Sequence, residues 1–138
     1  MSQQAHDIFT LSFIAANAVT QYRGVDFSGN QIAAQGARIC GVAKRPAAVG
    51  DNFEVAVVGT ATCEAGAVIA VGQLLQMDNQ GRVIPADAAT ITAGAVAVTS
   101  SAANGAILSG GYLPESIIGT ALEAASAAGN YIEVLLHR

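Results

Sequence analysis

Charge is the scarcest commodity in this chain: Asp, Glu, Lys and Arg together make up 12% of its 138 residues, against about 25% in ordinary soluble domains. Only six residues are basic and the net charge is −4. They are scattered apart from the adjacent Lys44 and Arg45, so no basic stripe exists to neutralise several phosphates, and a nucleic-acid partner is excluded. Tryptophan is absent and tyrosine occurs three times, which leaves few of the exposed aromatic platforms on which sugars are usually held. Cysteine occurs twice, at 40 and 63, with no Cys-x-x-Cys partner. Free, buried thiols are expected rather than a disulfide or a metal pair. No uninterrupted apolar run reaches the roughly 18 residues of a membrane-spanning helix, because Gly, Asn, Gln, Thr or Asp breaks each one. The opening Met-Ser-Gln-Gln-Ala-His-Asp lacks the basic and apolar regions of a secretory signal, and synthesis in a cytoplasm is expected. The hydrolase, phosphate-loop, zinc-protease and dinucleotide motifs are also missing. No cofactor and no catalysis are expected.

What is present is apolar and small. Hydrophobic residues make up 52% of the chain, 29 of them alanine. A surface so poor in charge presents sticky patches unless other subunits cover them. This composition predicts a structural protein that works by binding protein surfaces. The length suits a single domain with an arm.

Short alternating segments dominate. Residues 8–13 read Ile-Phe-Thr-Leu-Ser-Phe, with Phe9, Leu11 and Phe13 alternating with polar partners, the period of a half-buried strand. Residues 19–27 alternate less clearly. A strand ending near Ala43, a Gly50-Asp51-Asn52 turn and a strand over 53–57 follow. Shorter strands are expected near 67–69, 74–77 and 82–84. A hairpin connection is expected over 77–82, with Gly81 taking a positive φ. A short helix over 85–89 is compatible with the pattern. Val96 and Val98 suggest one more strand, and 98–114 a long loop. The fold class expected is all-β, a small barrel or sandwich-like domain. Residues 1–24 form an N-terminal arm or first strand, and 25–138 one β domain.

The chain also echoes itself. Ile39-Cys40-Gly41-Val42-Ala43 matches Ile117-Ile118-Gly119-Thr120-Ala121, and Gly50-Asp51-Asn52-Phe53-Glu54-Val55 matches Gly129-Asn130-Tyr131-Ile132-Glu133-Val134, with one extra residue in the second copy. Each copy reads strand, loop, Gly-Asp or Gly-Asn turn, strand. Two copies do not make a solenoid.

These residues carry a resemblance. The Gly-Val-Ala strand, the Gly50-Asp51 turn, Gly59, Ala65-Gly66, Gly72, Asp78 with Gly81, and the closing Ile-Gly-Thr-Ala-Leu-Glu-Ala-Ala-Ser-Ala-Ala-Gly-Asn-Tyr-Ile-Glu-Val-Leu-Leu are similar to small capsid decoration, or cement, proteins of tailed bacteriophages. The likeness runs from about Ala37 to His137 and is strongest over 118–136. The loop at 98–114 and the extended N-terminal segment depart from the family pattern. The resemblance implies a barrel-like domain, usually a homotrimer, on the outer surface of the virion head. There it would clamp neighbouring major capsid protein subunits. The family offers no catalytic residues to carry over. A head-fibre or adhesin-like module that binds a carbohydrate or host surface shares such a scaffold and is the alternative; a small hydrolase or isomerase is the remoter one.

Individual candidates are few. His6 and His137 lie near the ends and read as exposed, without a metal or catalytic role. Glu54 and Glu133 occupy matching positions in the echo and read as solvent-facing strand residues rather than an acid-base pair. Lys44-Arg45 reads as a solvated loop, with pairing to acidic capsid groups as the alternative. The segment that favours a functional role is the arm: Phe9, Leu11 and Phe13 on an added strand would fill pockets of a capsid subunit while the backbone extends its sheet.

Overall fold

One long strand organises the molecule. A computed structural model describes residues 5–86 and 116–137. In it the segment expected as a short strand over 53–57 runs on through Gly59 to Glu64 as the 13-residue β4, Asn52–Glu64. Gly59 reads as a break in the sequence, yet its φ of 111° absorbs an irregularity within the strand. Around β4 stand β1 (Asp7–Ile14), β2 (Gly24–Val25), β3 (Gly41–Ala43), β5 (Leu74–Met77), β6 (Val83–Pro85), β7 (Gly119–Ala121) and β8 (Tyr131–Leu136). The sheet order is β2-β3-β4-β8-β7-β5-β6, with β1 also paired to β4 and every pairing antiparallel. The sheet curls into a nearly closed β-barrel and the chain is all-β.

Several local expectations are revised. The alternation over 19–27 yields only the two residues of β2 and a bridge at Val19, because Tyr22 turns the chain with a φ of 66°. Residues 67–69 contribute only a bridge at Ile69. The helix considered for 85–89 gives way at its start to β6, which ends at Pro85; residues 87–89, the strand at Val96 and Val98, and the loop 98–114 lie outside the described residues. The hairpin over 77–82 forms between β5 and β6, with Gly81 at φ 76°.

The echo is a structural duplication that extends well beyond its legible part. The first copy runs from β1 into the first half of β4, and the second from the second half of β4 to β8. Val19 bridges Ala47 as Ile69 bridges Ala125. Gly24 pairs with Val42 as Leu74 pairs with Thr120. The amide of Gly50 donates to Ala15 O, and that of Gly129 to Ala65 O, both at 2.8 Å. The Lys44 amide donates to Glu54 O and the Leu122 amide to Glu133 O, both at 2.9 Å. Phe13 pairs with Phe53, and Leu11 with Val55, in β1 and β4; Cys63 pairs with Ile132, and Ala61 with Val134, in β4 and β8. Strand β4 therefore closes the first copy and opens the second.

Each copy builds its own small core from matching positions. Ala15, Val19, Val25, Ala43, Ala47, Phe53 and Val55 cluster in the first, with Phe13 and Val57 packed against them. Their counterparts Ala65, Ile69, Leu75, Ala121, Ala125, Ile132 and Val134 lie in the second cluster, together with Cys63. That second cluster also takes in Ile32, Ile39, Val42 and Ala56 of the first copy, which seal the joint between the two. Burying a Val, Leu, Ile, Phe or Met side chain contributes about 1.5–3 kcal/mol, so an alanine-rich chain relies on these few large residues and on close backbone approach.

Candidate functional site

Strand β1 carries four exposed large hydrophobic side chains, and Leu74 and Leu135 of the second copy are exposed as well. In β1, Ile8 is 82% exposed, Ile14 64%, Phe9 51% and Leu11 37%. Phe13 is half-buried, its ring 6.4 Å from that of Phe53. Among the described residues β1 pairs only with β4, so its other edge carries unpaired backbone donors and acceptors. A strand with an open edge and greasy side chains is a template for a further strand or an apolar surface.

The sequence places Phe9, Leu11 and Phe13 on one alternating face, and the structure keeps Leu11 and Phe13 opposite Val55 and Phe53 on the core side. Phe9 stands apart. The register shifts on both sides of it, leaving it opposite Val58, itself 46% exposed. The arm is thus laid along its own sheet, with Ile8 and Phe9 of its outer half both exposed to solvent. Sequence reasoning missed Ile8 and Ile14, because alternation assigns them to the polar face.

The start of β1 is pinned by polar contacts. Lys44 Nζ donates to Asp7 Oδ2 at 2.9 Å, and this ammonium holds the Asp7 carboxyl below its ordinary value. The amide of Thr60 donates to His6 O at 2.9 Å, and that of His6 to Thr60 Oγ1 at 2.8 Å. Arg45 Nη2 donates to Asn52 O at 2.9 Å. Lys44 and Arg45 therefore serve the fold itself. A shallow cavity of about 190 Å³ lies beside them, lined by Tyr22, Val42, Lys44, Ala56 and Thr60 among others. Its one cation is the lysine already bound to Asp7.

The remaining candidates are separate from one another. His137 Nε2 lies 2.7 Å from Thr120 Oγ1. Glu54 is exposed, as expected, but Glu133 is 4% exposed, which corrects the expectation of two solvent-facing acids. Cys40 and Cys63 are buried and form no disulfide, and burial pushes the Cys63 thiol up to about 12. Such a thiol stays protonated and unreactive. Among the described residues no group of three His, Cys, Asp or Glu side chains could hold a metal ion, and no helix is long and apolar enough to cross a membrane.

Comparison with known proteins gives this geometry its context. A family profile described as phage cement protein matches residues 3–111, most of the chain and all of strands β1 to β6. The chain belongs to the phage cement protein family. The matched stretch ends before 118–136, where the strongest likeness is expected; that segment repeats the earlier copy, which lies inside the match. Among solved structures, the N base of the head fibre gp8.5 of bacteriophage phi29 shares the fold, with a TM-score of 0.64 and 20% identity over 94% of this chain and 93% of that one. No curated protein matches. A cement-family chain is a structural component associated with the phage head, and its sequence expectation of an all-β barrel agrees with the structure.

Proposed function

We propose that this cement-family chain decorates the outer surface of the phage head, binding the major capsid protein and stabilising contacts between neighbouring subunits. It does so as a structural element, not a catalyst, after synthesis in the bacterial host cytoplasm. The observation that carries this reading is β1: a sheet edge that no described strand pairs, with Ile8 and Phe9 exposed at its outer half, in a chain whose family is described as phage cement protein. Edge pairing supplies affinity through the backbone, and the two apolar side chains supply the fit. Copies act together as a homotrimer, so that modest single contacts combine into firm attachment. The resemblance to a head-fibre base favours one second reading, in which the barrel is the capsid-bound foot of a longer appendage that meets a carbohydrate or host surface.

Truncating β1 would strip β4 of a partner strand, so point changes test the idea more cleanly. Ile8→Asp and Phe9→Asp alter exposed positions and leave the barrel folded. Occupancy of each variant on purified heads lacking the protein should fall at least tenfold below the wild type. Unchanged occupancy would show that β1 is not the anchor.

A further inference from the structure

Among the described residues, the duplication leaves two apolar ends exposed, and they are counterparts of surfaces that already meet inside the molecule. At the internal joint, Ala61 and Cys63 of the opening strand of the second copy, 4% and 0% exposed, share one buried cluster with Ile32, Ile39, Val42 and Ala56 of the first copy. Glu64 follows them, bound by Arg23 at 2.8 Å, and its amide donates to Tyr22 O at 3.0 Å. Met77 closes over Gly24, where a Cβ would stand 2.8 Å from its sulfur.

The same positions recur, uncovered, at the two ends. By strand register, Ala61, Cys63 and Glu64 correspond to Leu11, Phe13 and Ile14 of β1. Gly24, Val42 and Ala56 correspond to Leu74, Thr120 and Leu135. Leu11 is 37% exposed, Ile14 64%, Leu74 51% and Leu135 41%. Among the described residues, nothing packs on the opening surface of the first copy or on the closing surface of the second as the two copies pack on each other at the internal joint.

We infer that the occupant of each end is the other end of a second copy of this chain, so that copies join head to tail, the Leu11–Ile14 end of β1 of one on the Leu74–Leu135 face of the next. The side chains support this occupant. Where the internal joint uses Ala61, Ala56 and Gly24, the ends carry leucine at each place, and where it uses the Arg23–Glu64 pair, they carry Gln73 and Ile14. Both ends have thus exchanged small or charged residues for larger or uncharged ones, which a wider, drier joint between copies would bury. Such a contact is heterologous, and it closes into a ring when the rotation per copy allows. This rests on the reading above that copies associate, and adds which surfaces meet. It leaves the outer half of β1, Ile8 and Phe9, to the capsid.

The test is sedimentation of the full chain without capsids. Leu11→Asp disables one end and Leu135→Asp the other, both at exposed positions, with circular dichroism verifying that each variant folds. The wild type should assemble, and each variant alone should sediment as a monomer. An equimolar mixture at the highest soluble concentration should form dimers and nothing larger, since one intact end of each kind remains. Assembly that survives either change, or a mixture that stays monomeric, overturns the head-to-tail assignment while leaving association itself intact. A wild type that is monomeric at every concentration overturns both, and leaves capsid attachment to be judged by occupancy on heads.

Discussion

Asp26 and Asp78 hold the same post in the two halves of the molecule. The Oδ1 of Asp26 accepts from the amides of Ser28 and Asn30 at 2.8 and 2.9 Å, and that of Asp78 from those of Gln80 and Arg82, both at 2.8 Å. Each carboxylate closes a tight loop whose glycine, Gly29 or Gly81, takes a φ of 84° or 76°. Asp78 also holds the Arg82 guanidinium at 2.8 Å and is 7% exposed.

Replacing either aspartate by alanine strands two amides. The expected loss is about 1–3 kcal/mol for each. Asp78→Ala should be the more damaging, because it also leaves a half-buried guanidinium without its partner. Urea unfolding of the two variants measures both the losses and their order.

A second pair tests the duplication through backbone packing. A Cβ on Gly41 would collide with the carbonyl oxygen of Ala56, and one on Gly119 with that of Leu135. Gly41→Ala and Gly119→Ala should each cost about 2–3 kcal/mol, the usual penalty for overpacking a rigid site. Gly50→Ala meets no neighbour and is strained only by its φ of 87°, which limits its cost to about 1–2 kcal/mol. Comparable losses at 41 and 119, both above that at 50, would show in denaturant midpoints.

Acid should loosen the first copy. Lys44 holds the Asp7 carboxyl below its ordinary value of 3.8. At Asp26 burial pushes upward, but the amides of Asn30 and Ser28 and the Asn30 side chain outweigh it, and that carboxyl too lies below 3.8. A carboxyl whose folded value is depressed contributes stability that is complete above its unfolded value and disappears as pH falls through the folded one. Stability should therefore drop as pH falls from about 5 through 3.8 and below. Asp7→Asn and Asp26→Asn should each flatten that slope; the contribution of the exposed Asp7–Lys44 pair is at most about 1 kcal/mol. Thermal melts across this range give the slopes directly.

How much of this was legible in the sequence depends on whether side chains or backbone carry the structure. The alternation of Phe9, Leu11 and Phe13 marks β1 well, because one face of that strand does meet the core. The echo is visible where large residues recur, at 39–43 and 117–121, and at 50–55 and 129–134. It is invisible between Ala15–Val25 and Ala65–Leu75, where Tyr22 corresponds to Gly72 and Arg23 to Gln73. There the two copies share backbone hydrogen bonds, which leave little trace in residue type. The spacing from Asp26 to Gly29, repeated from Asp78 to Gly81, was the one signal that could have extended the repeat.

The surface was harder to read than the fold. Exposure of Ile8, Ile14, Leu74 and Leu135 follows from which strands have neighbours, and pairing is a tertiary fact. Alternation alone predicts β1 with one wet face, whereas Ile8, Phe9, Leu11 and Ile14 all reach solvent. Likewise Glu133 matches Glu54 in the repeat yet is buried, because position in a repeat does not fix what packs over it.

A cryo-EM map of heads carrying this protein tests the central claim most directly. The account predicts barrels on the outer face of the shell, with Ile8 and Phe9 of β1 seated on a major capsid subunit. Barrels that dock with β1 turned to solvent, or heads that carry no such density at full protein excess, would contradict it.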